Sequence, residues 1–345
     1  MGDLFAYSGL TTKLKAMERR LISDEEYLRL TNMTSVQDVV AFLKGHKGYK
    51  EDFEELEVSS VHRATLEKIL AFSKYRDFSS IYKFANVKQR VFLNLYFIRF
   101  ETVLLKKAFR GLEYESDPGY FDKLEKVFVR YSKIDIISVF KCGTKEEIIE
   151  TLKDTPYYLP LKRIEQSPDS NMFDYEMTLD LFFFRYAWNN KEKFFKKKDL
   201  KSITMCIGTE IDTLNIIWIY RAKKYYNLSD EEIYSMLIPV YHRLKKEQVR
   251  LLIKSSDIYE FMENLNKTVY GSHFIKIEED KMSLERAYSH IMDKLYNKFY
   301  HDDPYSLSAV NAYLYNKEQE IKKLITITEC IRYKYSSEAI RKEII

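Results

Sequence analysis

The sequence predicts an all-α protein built from three divergent helical repeats. Only 9 of the 345 residues are glycine and 6 are proline. An all-β chain needs many Gly/Pro turns, and a Rossmann-type chain needs glycines at its phosphate loops. Apolar residues follow the three- and four-residue spacing of helices along most of the chain. Two sets of sequence markers also recur at intervals near 110 residues, which indicates a repeated module.

The composition limits the classes of function. The net charge is +4, from 56 basic and 52 acidic residues, so no global basic field favours nucleic acid. The cysteines Cys142, Cys206 and Cys330 are odd in number and have no CxxC spacing, which predicts reduced, buried thiols. No signal peptide is evident, and no apolar run is long enough to span a bilayer. Any membrane association is therefore expected to be peripheral.

The first repeat is predicted to contain a helix, a capped helix, a short helix and two long helices. Tyr7, Leu10, Leu14, Met17 and Leu21 fall on one face of the first helix. The other predicted elements are the capping box Ser23–Glu26, the short helix Val36–Leu43 after Ser35, and the long helices Thr65–Tyr82 and Val87–Arg110.

The second repeat begins at the Asp117-Pro118 break and follows the same order. Its predicted elements are the helix Tyr120–Ile134, the short helix Thr144–Leu152 before Tyr157-Tyr158, the proline-marked loop Leu159–Asn171, the aromatic stretch Met177–Trp188, the polar stretch Asn189–Lys198 and the helix Leu200–Tyr226.

The third repeat opens with Ser229–Glu232, which copies the capping box of the first repeat. The helical stretches predicted after it are Ile233–Leu244, Gln248–Ile253, the short helix Ser256–Leu265, Leu284–Phe299 and the last long helix Leu307–Arg332.

The spacing of equivalent residues defines the repeats. Glu101, Glu210 and Glu320 are 109 and 110 residues apart. The short helices start at Ser35, Thr144 and Ser256, which are 109 and 112 residues apart, and each start is followed 14 residues later by a tyrosine. We therefore predict helical domains over residues 1–112, 113–226 and 227–345. Three such copies form either an open superhelix or a closed ring.

The stretch Gly208–Asn227 is expected to be a helix buried nearly all round, with Gly208 marking its start. It carries the polar residues Glu210, Asp212, Asn215 and Arg221, and such groups need partners when they are buried. We predict that these four side chains tie the helix to its neighbours and take no part in catalysis.

The sequence lacks the common nucleotide-binding and metal-binding motifs. It contains no GxGxxG, GxxxxGK[ST] or HExxH pattern, and no two histidines stand at helical ligand spacing, so no cofactor or metal site is predicted. The acidic clusters Glu278–Asp280 and Asp302-Asp303 are interpreted as solvated helix ends and loops. Lys196–Lys198, beside Phe194-Phe195, is interpreted as a solvated loop, with contact to anionic lipid or nucleic acid as the alternative.

Two segments resemble a known family. Gly208–Asn215 with Arg221, Ala222 and Lys223 resembles a signature of the central-stalk subunit of rotary V-type and A-type ATPases, called C in bacteria and archaea and d (AC39) in eukaryotes. The segments that are similar to the end of that family are Pro304–Leu307, Ala312–Leu314 with Tyr313, and Lys317–Ile321 with Glu320, followed by Leu324 and Ile327. Two departures are Lys323, where the family usually has asparagine, and the position of Arg332.

The resemblance implies a funnel of three helical domains with pseudo-three-fold symmetry. It implies a non-catalytic rotor subunit, present once per complex, on the cytoplasmic face of the membrane proteolipid ring. Its opening would receive the shaft made by subunits D and F. It would transmit torque between ATP hydrolysis or synthesis and H⁺ or Na⁺ transport, without a cofactor, a metal or nucleic acid.

Two other functions stay open from the residues alone. One is a helical-repeat scaffold that binds an unrelated partner, and the other is an enzyme acting on an anionic substrate, which would need a concave pocket with convergent polar groups. If the chain is the rotary ATPase component, exposed residues of the short helices and of their tyrosine-containing ends are expected to form one rim.

Overall fold

The computed structural model confirms the all-α prediction. It describes residues 2–54, 57, 61, 63–112, 121–168, 170–278 and 283–344. All regular elements in these residues are helices. None of the helices so described combines the length and the apolar character needed to cross a bilayer.

In chain order, the described α-helices fall into three sets of six, followed by one more. Each set has four shorter helices and then two of 19 to 26 residues. The first set is α1 (Gly2–Glu18), α2 (Asp24–Leu30), α3 (Val36–Gly45), α4 (Lys50–Phe53), α5 (Arg63–Phe84) and α6 (Val87–Gly111). The second is α7 (Phe121–Tyr131), α8 (Ile136–Lys141), α9 (Lys145–Thr151), α10 (Tyr158–Glu165), α11 (Met172–Phe194) and α12 (Lys197–Arg221), which continues into a π-helical turn, Ala222–Tyr226. The third is α13 (Asp230–Met236), α14 (Lys246–Lys254), α15 (Ile258–Asn266), α16 (Gly271–Glu278), α17 (Leu284–Asp302) and α18 (Leu307–Arg332), and α19 (Ser337–Ile344) follows.

The chain divides into two compact units. Residues 1–90, 122–127 and 299–345 form one, here called the terminal unit because it holds both ends of the chain. Residues 91–121 and 128–298 form the other, called the middle unit. The three predicted domains, and their arrangement as a funnel, remain predictions.

The terminal unit is built around the last long helix. α18 packs against α1, α3 and α5, which come from the start of the chain. Leu324 is fully buried in this core, among Val40, Leu43 and Leu70. Burying a leucine side chain of this kind contributes about 2 kcal/mol, so the unit depends on segments that are far apart in sequence.

The middle unit is built around α12. This helix packs against α11, α13 and α14. Ile216 and Ile219 on α12 share one apolar core with Phe261 and Leu265 on α15 and with Phe274 on α16. The predicted burial of this helix is therefore correct, and it brings α12 against the short helices that follow it.

Gly208 lies inside α12, so the prediction that it marks the helix start is wrong. The helix begins at Lys197, eleven residues earlier. A Cβ atom at position 208 would lie 2.4 Å from Cγ of His242. The glycine thus permits close approach of the histidine ring, and it does not end or begin the helix.

The stretch predicted as helical over 233–244 is helical only as far as Met236. Residues 237–245 form an irregular segment. Pro239 disfavours helical geometry at Ile238, and side chains on α12 bind backbone groups of the segment. By contrast, Leu307–Arg332 has the predicted bounds, and the capping boxes at Ser23 and Ser229 are both formed.

The cysteines are free thiols. Cys206 and Cys330 are buried as predicted, but Cys142 is only half-buried. It caps the end of the short helix α8, where its Sγ lies 3.2 Å from the Ser138 carbonyl oxygen. A position at the end of so short a helix leaves one side of the thiol uncovered.

The other sequence features have mixed outcomes. Lys196–Lys198 is exposed at the start of α12, and Asp302 and Asp303 lie at the end of α17. The Asp117-Pro118 break and residues 279 and 280 of the acidic cluster fall outside the part of the chain that the structure describes.

Candidate functional site

On each of three long helices, a buried carboxylate accepts a hydrogen bond from a tyrosine that follows a short helix. Tyr157 donates to Glu101 on α6 at 2.6 Å, and Tyr270 donates to Asp212 on α12 at 2.9 Å. Tyr49 donates to Glu320 on α18 at 2.6 Å. The three carboxylates and the three tyrosines are all buried. We call these contacts the Glu101, Asp212 and Glu320 clasps.

The Glu320 clasp lies in the terminal unit and contains a buried cation. The Ile22 amide donates to Glu320 at 2.5 Å. The Lys317 ammonium, only 2% exposed, donates to Glu320 at 2.8 Å and to the Tyr49 hydroxyl at 2.9 Å. Burial, and then the adjacent Glu320 charge, raise the pKa of Tyr49, so the phenol stays a neutral donor.

The Asp212 clasp lies in the middle unit and consists of neutral donors. The amides of Arg243 and Leu244 donate to one carboxylate oxygen at 2.7 and 2.9 Å, and the His242 amide donates to the other at 3.2 Å. Burial raises the pKa of Asp212, and these amide bonds with that of Tyr270 offset part of the rise.

Asn215, almost one helical turn after Asp212, extends this attachment. Its side-chain oxygen accepts from the Ile238 amide at 3.0 Å, and its side-chain nitrogen donates to the Ile238 carbonyl at 2.9 Å. Asp212 and Asn215 therefore bind backbone groups at both ends of the irregular segment 237–245, namely those of Ile238 and of residues 242–244.

The Glu101 clasp uses hydroxyl groups. The Ser132 and Tyr157 hydroxyls both donate to Glu101. The Ser132 oxygen in turn accepts from the Ile134 amide at 2.9 Å. Burial raises the pKa of Glu101, because these two hydroxyl bonds only partly compensate for the lost water.

The three clasps hold equivalent places in the chain. Ile22, Ile134 and Leu244 each immediately precede the N-cap of a helix, namely Ser23, Asp135 and Lys245. The clasp tyrosine comes after the second helix that follows this N-cap: Tyr49 follows α3, Tyr157 follows α9 and Tyr270 follows α15. One carboxylate thus fixes both ends of a two-helix segment to a long helix.

Glu210 is not the equivalent of Glu101 and Glu320, contrary to the prediction from their spacing. It pairs with Arg99 on α6 and accepts from the Tyr288 hydroxyl at 3.0 Å. Two residues turn an α-helix by roughly 200°, so Glu210 and Asp212 face opposite sides of α12. The Arg99 guanidinium also lies 4.4 Å from the centre of the Phe183 ring. Burial alone would lower the pKa of Arg99, but the Glu210 charge raises it well above its ordinary value.

The remaining predicted residues lie on the same long helices. Tyr313 on α18 donates to Asp77 on α5 at 2.6 Å, and both are buried. Arg221 is half-buried and ends the α-helical part of α12. The structure therefore brings Tyr313, Glu320 and Leu324 into the terminal unit, and Glu210, Asp212, Asn215 and Arg221 into the middle unit.

Sequence reasoning missed the tyrosines as partners of the carboxylates. The repeat spacing was defined with Tyr49, Tyr158 and Tyr270. The Glu101 clasp uses Tyr157 instead, and the Tyr158 hydroxyl donates to Glu150 at 3.2 Å. The third short helix is capped by Asp257, not by Ser256. The three clasp tyrosines are buried, so a rim at these ends would be formed by their exposed neighbours, and the expected rim stays a prediction. Tyrosines and carboxylates recur along the chain at the same interval, and this shared interval was the signal that could have revealed the tyrosine–carboxylate hydrogen bonds.

The clasps have the character of structural sites. Each carboxylate is surrounded by donors and lacks an open face for a substrate. Within the described residues, no group of three or more His, Cys, Asp or Glu side chains is arranged to hold a metal ion.

Comparison with known proteins identifies the family. The family described as ATP synthase (C/AC39) subunit matches residues 10–343. The C subunit of the A-type ATP synthase from Thermococcus kodakarensis is 26% identical, over 97% of this chain and 89% of the relative. The protein of the same name from Methanococcoides burtonii is 24% identical, over 100% of this chain and 95% of its own length. These matches confirm the resemblance predicted from Gly208–Asn215 and the C-terminal segments. This chain therefore belongs to the ATP synthase C/AC39 subunit family.

Proposed function

We propose that this chain is a non-catalytic rotor subunit of a rotary A-type or V-type ATPase. The single observation that carries the proposal is the family match over residues 10–343, together with relatives that are named as the C subunits of A-type ATP synthases and align along most of their length. The chain would be a socket between the central shaft, made by subunits D and F, and the membrane proteolipid ring. It would transmit torque between ATP hydrolysis or synthesis and transport of H⁺ or Na⁺.

The packing of the described residues supports a mechanical role. A socket has to transmit torque without local unfolding. α18 has 26 residues, which gives a rod of roughly 39 Å. Glu320 attaches Ile22 and Tyr49 to this rod, and Leu324 and Ile327 pack one and two turns further along it. A close-packed body held in this way transmits strain with little deformation.

The chemistry of the clasps supports a non-catalytic role. A general acid or base needs a carboxylate that can reach a substrate proton. Glu101, Asp212 and Glu320 are buried and already bonded to donors within the protein. We therefore expect no ATP hydrolysis by the isolated chain, and no requirement for a cofactor, a metal or nucleic acid.

The proposed location is peripheral, at the cytoplasmic face of the membrane, through contact with the proteolipid ring. One copy per complex and three domains arranged as a funnel, over residues 1–112, 113–226 and 227–345, form part of the same proposal. The three sets of helices and the three clasps support the repeated organisation.

The test is a pull-down of the tagged chain from gently solubilised native membranes, with mass spectrometry of the bound proteins. We expect the proteolipid, the shaft subunits and the catalytic subunits at a ratio of one tagged chain per complex. The same tag on an unrelated helical protein is the control for non-specific capture. Recovery of neither proteolipid nor shaft, from an extract in which the ATPase is intact, would overturn the proposal and favour a helical scaffold for another partner.

A further inference from the structure

Two long helices end in exposed tyrosines. Tyr225 and Tyr226 follow α12 and are 63% and 69% exposed, and Tyr333, directly after α18, is 61% exposed. Tyr225 stands thirteen residues after Asp212, and Tyr333 stands thirteen residues after Glu320. Single exposed aromatic residues are common on proteins. Exposed tyrosines that stand the same number of residues after two clasp carboxylates form a repeated pattern, which single exposed residues do not.

A tyrosine also follows the third clasp carboxylate in the sequence. Tyr114 stands thirteen residues after Glu101. It lies outside the described part of the chain, so only its position in the sequence is relevant. The sequence nevertheless provides a tyrosine at this step after each of the three clasp carboxylates.

The backbone fixes the tyrosines at the helix ends. Asn227, directly after Tyr226, has a φ of 47°, and Lys334, directly after Tyr333, has a φ of 59°. Left-handed residues of this kind end a helix and turn the chain away from its axis. Tyr225 and Tyr226 also lie in the π-helical turn Ala222–Tyr226 that ends α12, and such turns are frequent at functional sites. The rings are therefore held where a partner can reach them.

A basic side chain lies beside two of the three exposed rings, those of Tyr225 and Tyr333. The Lys224 ammonium lies 5.6 Å from the centre of the Tyr225 ring. The Arg332 guanidinium lies 4.7 Å from the centre of the Tyr333 ring and donates to its hydroxyl at 2.7 Å. Tyrosine and arginine are enriched among the residues that contribute most to protein interfaces. The added positive charge favours a partner surface rich in carboxylates and carbonyl oxygens.

We propose that these tyrosine-and-base sets dock this chain onto an acidic protein surface that its partner presents in several identical copies. A feature that recurs at equivalent positions suits a partner built from identical subunits, whereas a single-copy shaft offers a different surface to each site. The inference rests on the proposed function, under which this partner is the proteolipid ring. It assigns the ring contact to the ends of the long helices.

The experiment uses the tagged full-length chain, assembled in its native complex. The test variant is Tyr225→Ser/Tyr226→Ser/Tyr333→Ser. The matched control is Phe5→Ser/Leu159→Ser, which removes one exposed apolar residue from each unit, 77% and 67% exposed in the parent chain. Thermal melting of each purified variant checks that it folds. The readout is the amount of proteolipid and of shaft subunits recovered per tagged chain at moderate salt.

We expect the tyrosine variant to lose at least tenfold in proteolipid recovery while it keeps the shaft subunits, and the control to stay within twofold of the parent. Lys224→Glu/Arg332→Glu is a second variant that keeps the rings, and it should also lower proteolipid recovery selectively. Unchanged proteolipid recovery in both variants, or selective loss of the shaft, would overturn the inference. Failure of the parent chain to recover any ATPase subunit would instead overturn the proposed function, and this inference with it.

Discussion

The Glu320 and Asp212 clasps fix equivalent segments with different chemistry. Glu320 is held by one amide, one phenol and the buried ammonium of Lys317. Asp212 is held by three amides and one phenol. The segments joined also differ in distance along the chain, because Tyr49 is 271 residues from Glu320 whereas Tyr270 is 58 residues from Asp212.

The difference shows that a carboxylate can hold such a segment with or without a compensating cation. An ion pair makes each partner dependent on the other, since the loss of one charge leaves the other buried and unpaired. Backbone amides carry only partial charges, so loss of the carboxylate charge is less damaging. Replacing each clasp carboxylate by the amide of the same shape should therefore give three unequal losses of stability.

Glu320→Gln should have the largest effect. It removes the carboxylate charge 2.8 Å from Lys317 and leaves a buried ammonium, with Asp77 at 3.9 Å as the nearest remaining carboxylate. We expect a loss of about 3–5 kcal/mol in the free energy of unfolding, measured by urea denaturation. Adding Lys317→Met should restore part of this loss. A single variant within about 1 kcal/mol of the parent would show that the ion pair is not essential.

Asp212→Asn should cost about 2–3 kcal/mol, since bonds from amides to a charged acceptor are exchanged for bonds to a neutral one. The substitution also replaces one carboxylate oxygen of residue 212 by an NH₂ group, which is a donor. This donor would face either the His242 amide or the amides of Arg243 and Leu244, which are donors too. Hydrogen exchange of the Leu244 amide should increase at the same time. A loss equal to that of Glu320→Gln would remove the distinction between the two clasps.

Gly208→Ala tests the Asp212 clasp through His242, which lies against Gly208. The added methyl group would meet the His242 ring and push the residue whose amide binds Asp212. We expect a loss of about 2 kcal/mol by thermal or urea denaturation. Gly9→Ala is the matched control, because Gly9 is also inside a helix but has no atom within 4 Å of an added Cβ. The control should gain about 0.5–1 kcal/mol, and equal effects at the two sites would contradict the role given to His242.

Glu101→Gln should have the smallest effect at neutral pH, below about 1 kcal/mol, because the cost of burying the Glu101 charge offsets most of what its two hydroxyl bonds contribute. Its effect should depend on pH. Burial raises the pKa of Glu101 in the folded state above 4.5, so the folded chain binds more protons than the unfolded chain between pH 4.5 and that raised pKa. The parent should therefore lose stability as pH rises through this window.

Urea denaturation of the parent and of Glu101→Gln from pH 4 to pH 8 measures this dependence. The advantage of the parent should be greatest at the acidic end and should shrink as pH rises. A difference that stays constant with pH would mean that Glu101 titrates at its ordinary value in the folded protein.

Local patterns in the sequence were sufficient to predict most of the long helices, but the stretch predicted as the loop Leu159–Asn171 contains most of the short helix α10, and 233–244 is helical only as far as Met236. Leu307–Arg332 was predicted with its observed bounds, because a helix start and a long apolar periodicity are both local signals. The capping boxes at Ser23 and Ser229 were correct for the same reason. Helix identity therefore depends on neighbours within a few residues.

The clasps could not be predicted because their partners are distant in sequence. A glycine inside a helix looks like a helix end until the ring of His242 is known to lie against it. The period near 110 residues selected Glu210 where Asp212 is the clasp carboxylate, since acids two residues apart fit a divergent repeat equally well. Only the direction in which each side chain leaves α12 separates them.

The Glu320 clasp has a consequence for biosynthesis. Ribosomes add about 5–20 residues per second, so the 271 residues between Tyr49 and Glu320 take roughly 15–50 s to make. During that interval α3, with Val40 and Leu43, has been synthesised without the α18 surface that covers it. The nascent terminal unit therefore exposes its apolar faces until α18 leaves the ribosome, and we expect it to bind chaperones during that time, while the Asp212 clasp can close soon after Tyr270 emerges.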